Sequence, residues 1–141
     1  LCGRREVYYT SPRICVVRIG EWLDDYTGKI FTVAVQIDLD HVIPRMYAHT
    51  HRGDRWMLNK KIQFANDPLN LLLVEKREIR RKSDRGPSRY LPRDEFKCEY
   101  AQLWQAIAEK YDLQLESGDR NEIRRILEDC PADELDPSLL Q

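Results

Sequence analysis

Apolar residues near the start of the chain gather in β-forming runs. Residues 14–23, ICVVRIGEWL, reach turn chemistry at Asp24–Gly28, and the return through Thr32 predicts a β-hairpin. VQIDLDHVI, residues 35–43, predicts a further strand stopped by Pro44. In residues 54–65, Trp56, Leu58, Ile62 and Ala65 recur at roughly helical spacing, with Asp54 as the expected N-cap. Asn66–Pro68 predicts a turn, Asn70–Val74 a short strand, and residues 76–84 a basic helix ended by Gly86–Pro87. The last third reads as helical. Phe96, Tyr100, Leu103, Trp104, Ile107 and Tyr111 form one stripe, which reads as core, and Ile123, Ile126 and Leu127 form another. Asp119 followed by Glu122 suggests a capping box. Residues 131–141 carry prolines and acids without periodicity and predict a loosely held acidic tail.

The 141 residues suit one compact domain, and a charged fraction of 33% makes much of its surface ionic. A net charge of −1 argues against indiscriminate binding to nucleic acid, yet it hides an asymmetry. Residues 76–93 hold eight Lys or Arg against two acids, whereas residues 112–141 hold nine acids against three Arg. The basic run is either a solvated face or a footprint for phosphates. No apolar stretch approaches the ~20 residues that span a bilayer. The chain begins at Leu1 rather than Met, which reads as a processed or trimmed form. Cys2, Cys15, Cys98 and Cys130 contain no C-x-x-C pair, so spacing does not suggest structural zinc. They allow three disulfide pairings, of which 2–15 with 98–130 would staple both ends of a small domain in a secreted or periplasmic protein. Free buried thiols in a cytosolic protein are the alternative.

One short stretch concentrates candidate chemistry. IDLDHVIP, residues 37–44, places Asp38, Asp40 and His41 inside an apolar run, where they need solvent, a metal or a phosphate nearby. With FANDPLNL at 64–71 and the basic helix after it, the order is strand, loop containing a helix, strand, helix. The set DLDHVIP…NDPLNLLLVEKREIRRKSDRGP resembles the HNH, or His-Me finger, endonuclease family. It is most similar to small, often secreted bacterial HNH proteins with D-x-D-H-V-x-P, F-A-N-D-P-x-N-L and N-R-x-K-x-D-x-x-P motifs. The likeness extends to GEWLDDYTGK upstream and KCEYAQLWQAIAEKYDL downstream, roughly residues 4–115.

The resemblance implies an α+β fold with a ββα-metal core, an N-terminal β-hairpin and C-terminal helices, as a single nuclease domain over residues 1–130. It implies His41 as general base and Asn70 as the residue that holds the base's loop or ring. Asp40 would ligate one divalent cation, Mg²⁺ first and Mn²⁺ next, and Arg80, Arg81, Lys82 and Arg85 would meet phosphates. The partner implied is DNA, with RNA as a second substrate, and no membrane; an immunity or inhibitor protein is a further partner class. An imidazole can take a proton near neutral pH, and a hard cation neutralises phosphate charge, so these residue types suit phosphodiester hydrolysis.

One position departs from the pattern. The family's second metal ligand, an Asn, falls at Ile79, which cannot bind a cation. Water could fill its place, or Glu78, about 100° around the helix, or Glu75 could serve after a local shift. The third outcome is a domain that has lost cleavage and kept nucleic-acid or protein binding.

Overall fold

The computed structural model describes residues 8–11 and 14–140, with side chains from Arg18 onward. The expected pairing of Cys2 with Cys15 lies outside the described side chains. Strands β1 (Tyr8–Ser11), β2 (Ile14–Leu23) and β3 (Ile30–Val33) form an antiparallel sheet in that order, so the expected hairpin has a third strand. Its turn is built by Asp24. The carboxylate accepts from Tyr26 N at 2.9 Å and Thr27 Oγ1 at 2.8 Å, while Gly28, at φ 74°, donates its N–H to Asp24 O. That φ is one that Gly adopts without a Cβ penalty. Asp24 also accepts from Glu75 N at 3.2 Å, which ties the turn to the second sheet.

That second sheet pairs β4 (Ile37–His41) antiparallel with β5 (Leu71–Glu75), with His41 opposite Leu71 and Ile37 opposite Glu75. The connection holds two short helices, α1 (Arg45–Thr50) and α2 (Leu58–Ala65). The strand expected over 35–43 is confined to Ile37–His41, and Pro44, three residues on, takes the N-cap of α1, where a proline costs no ladder bond. The expected helix over 54–65 starts four residues later. Residues 53–55 form a 3-10 turn, Met57 takes the cap position, and Asp54 caps nothing. Helix α3 (Lys76–Lys82) follows β5 without a loop.

Helices α4 (Lys97–Lys110) and α5 (Ser117–Asp129) complete an α+β fold. The aromatic stripe of α4 is buried, and Tyr100, Trp104 and Ile107 have no exposed surface. Tyr26, Tyr47, Phe64, Val74 and Tyr90 pack against it, so one core joins the β2–β3 turn, β5 and the helices. Asp119 is not an N-cap. It is buried in the first turn of α5 and accepts from Tyr47 Oη at 2.6 Å and from Ser88 N and Oγ at 2.9 and 2.6 Å. A disulfide joins Cys98 on α4 to Cys130 after α5, with Cα atoms 5.9 Å apart. Residues 131–140, expected as a loose tail, are docked. Gln102 exchanges two hydrogen bonds with the Asp136 backbone, and Leu139 packs on the core.

Candidate active site

The second sheet ends where its two strands meet the α1–α2 connection, and this end carries the site. Asp40 is 5% exposed on β4. Its Oδ2 accepts from Tyr26 Oη at 2.8 Å and lies 3.0 Å from Lys82 Nζ. Its Oδ1 has no partner among the described residues. Lys82 is fully buried and also donates to His41 O at 2.8 Å. Burial pushes the Lys82 ammonium pKa down, and the Asp40 carboxylate opposes that shift. The expectation that Lys82 meets phosphate is therefore corrected: it lies inside the protein and clamps both ends of the Asp40–His41 dipeptide.

His41 Nε2 lies 2.8 Å from Ala65 O at the end of α2. A carbonyl can only accept, so Nε2 carries the hydrogen and a neutral His41 keeps its lone pair on Nδ1. Asn70, with no exposed surface, acts on the loop and not on the ring. Its amide accepts from Ile43 N at 2.8 Å and donates to Ile43 O at 3.1 Å, while its backbone O accepts from Val42 N at 2.9 Å. The chain leaving His41 is thus held as if it were one more rung of the sheet.

Asp40, His41 and Ile79 line one cleft of about 600 Å³, along with Pro44, Phe64 and Ala65. Arg45 and His49 on α1 and Lys61 on α2 also line it. Sequence reasoning singled out none of these three. The signal available was the four-residue spacing of Arg45 and His49, which shares a face only once a helix is known there. His51 is used elsewhere, stacked on Tyr47 with its Nδ1 2.6 Å from Tyr47 O. Asp38 is exposed, bonded to the N–H of Leu39, and is not on the cleft wall.

Glu78 lies off the cleft wall, bonded to other side chains. Both its oxygens bond Arg81, and one of them also accepts from Tyr90 Oη at 2.7 Å. The Arg81 bonds, with help from Tyr90, outweigh burial and hold the Glu78 carboxyl below its ordinary value. Arg80, Arg81 and Arg85 are exposed on or just after α3, outside the cleft. Arg81 also lies over the Tyr90 ring at 5.2 Å. Among the described residues, no three His, Cys, Asp or Glu side chains converge on one point. Asp40 is the one carboxylate among the residues that line the cleft. That donor set fits Mg²⁺, which keeps most of its waters and takes one or two carboxylates beside phosphate oxygens. It does not fit zinc, which needs three or four protein ligands.

No family model matches the chain, and no solved structure matches it. It is similar to an uncharacterized secreted protein of Arthroderma benhamiae, 29% identical over 119 residues, which covers 82% of this chain. The chain spans 58% of that relative's length. The secreted relative and the Cys98–Cys130 disulfide agree with the extracytoplasmic location expected from the cysteines.

Proposed function

We propose that the cleft is the active site of an endonuclease that hydrolyses phosphodiester bonds of DNA, and also of RNA, on a ββα-metal core formed by β4, β5 and α3. The observation that carries this reading is the His41–Ala65 hydrogen bond, which leaves the Nδ1 lone pair of a neutral His41 free in the cleft that Asp40 also lines. His41 Nδ1 would take the proton of the attacking water, and the Ala65 carbonyl would stabilise the imidazolium that forms. Asn70 would keep the base in place by fixing residues 42–43. Asp40 would hold Mg²⁺ or Mn²⁺, which when bound offsets charge on the phosphate and the leaving oxygen. Tyr26 and Lys82 would keep that carboxylate from turning away.

Ile79 on the cleft wall favours a second reading, a domain of the same architecture that binds nucleic acid or protein without cleaving. Incubation of supercoiled plasmid and single-stranded circular DNA with Mg²⁺, Mn²⁺ or chelator separates the two. Cleavage that needs metal and disappears in His41→Ala is the expected result. Intact DNA in every metal, from a folded protein, would leave the binding module.

A further inference from the structure

The cleft's own cations are better placed for a ligand than the basic run of α3. The side chains of Arg45, His49 and Lys61 have no hydrogen-bond or ion-pair partner among the described residues, and all three are exposed on the cleft wall. On α3, by contrast, Lys82 is buried and Arg81 is paired with Glu78. The carboxylate on the cleft floor does not cancel the charges of Arg45 and Lys61, because Lys82 neutralises Asp40 from behind. The net field in the cleft therefore favours an anion.

The rest of the wall is apolar and open. Leu39 is 53% exposed and Met46 58%, and both line the cleft with Trp56. A phosphate alone has no use for such a wall, and a cleft of about 600 Å³ is far larger than a phosphate needs. A duplex offers phosphates at its surface but keeps its base faces stacked inside. An unpaired strand offers both, and base faces gain by lying on apolar and aromatic side chains.

We infer that the cleft binds an unpaired polynucleotide strand, with a phosphate on Arg45, His49 and Lys61 and a neighbouring base against Leu39, Met46 and Trp56. The inference rests on reading the cleft as a nucleic-acid site and adds the strand state and the holding residues. Fluorescence anisotropy of labelled oligothymidylate, alone or annealed to oligodeoxyadenylate, tests it with His41→Ala protein in chelator, so that the strand stays intact. The single strand should bind more tightly than the duplex by roughly tenfold. Arg45→Glu with Lys61→Glu should weaken single-strand binding by roughly tenfold or more. Arg80→Glu with Arg85→Glu should change it by no more than about twofold. All four positions are exposed, so the variants should retain the wild-type far-ultraviolet circular dichroism. Met46→Glu, also at an exposed position, should weaken the single strand more than the duplex. Equal or tighter duplex binding, a larger loss from the α3 pair, or no binding of either probe would overturn the inference. Loss of cleavage in every metal with clamp-dependent strand binding intact would sink the hydrolase reading alone. Metal-dependent cleavage with strand affinity unchanged in the Arg45/Lys61 variant would sink the clamp alone.

Discussion

Single residues divide here by whether their chemistry depends on local or distant partners. His41, Asp40 and Asn70 stand out in the sequence because polar groups interrupt an apolar run. The structure brings all three to one end of the second sheet. Lys82 was legible only as one more charge in a basic run, since nothing local reveals that its ammonium turns inward to a residue 42 positions earlier. Lys82→Met should cost about 3–5 kcal/mol in urea unfolding, because it strands the Asp40 charge in the interior. Unchanged stability would show that Lys82 is solvated in solution. Ile79 gives a sharper test of the proposed cation. Ile79→Asn should raise Mg²⁺-dependent cleavage while lowering stability by about 1–3 kcal/mol, since an amide replaces a partly buried methyl-rich side chain. Equal cleavage rates at limiting Mg²⁺ would mean that position 79 does not face the ion.

At the scale of elements, α3 is held by an acid–base cluster more than by its own length. Glu78 ties Arg81, one turn on, to Tyr90 beyond the helix end. The folded Glu78 pKa lies below its ordinary 4.5, so its stabilisation is present above that pH and fades as pH falls through the folded value. Asp67 follows the same sign. Burial alone would raise it, but Lys110 and the hydroxyl of Tyr111 more than offset burial and pull it below 3.8. Glu78→Gln should therefore be less stable than wild type at neutral pH, with the gap closing in acid. A gap that stays constant from neutral pH into acid would contradict the cluster. The long amphipathic helix α4 was legible because its stripe repeats over fourteen residues. Helix α1 was not, because a helix of six residues carries too few turns for a period to emerge. The position of Asp119 was misread for a related reason: a carboxylate three residues before a Glu fits a cap pattern, but three donors from α1 and the 86–90 segment claim it in space.

Across the whole molecule, the ends of the α4–α5 unit are fastened covalently. The Cys98–Cys130 bridge closes a loop of 32 residues, which by chain entropy stabilises the fold by about 3–4 kcal/mol. Cys98→Ser with Cys130→Ser should lose about that much, read as a lower denaturation midpoint with an unchanged slope. An unaltered midpoint would mean that the helices need no staple. The same stretch shows where composition misleads: residues 131–140 are acidic and proline-broken, yet Gln102 captures the Asp136 backbone and Leu139 reaches the core. Such capture depends on a partner more than thirty residues away, which no local pattern encodes. On the proposed function, the Tyr26–Asp40–Lys82 contact sets folding and activity against each other. Buried ion pairs are often matched or surpassed in stability by apolar groups of the same shape. A Tyr26→Phe, Asp40→Leu, Lys82→Met triple variant should be at least as resistant to urea as wild type, while cleaving nothing. Selection for thermal endurance alone would erode this site first, and its persistence in a stabilised descendant would report that the chemistry was still being used.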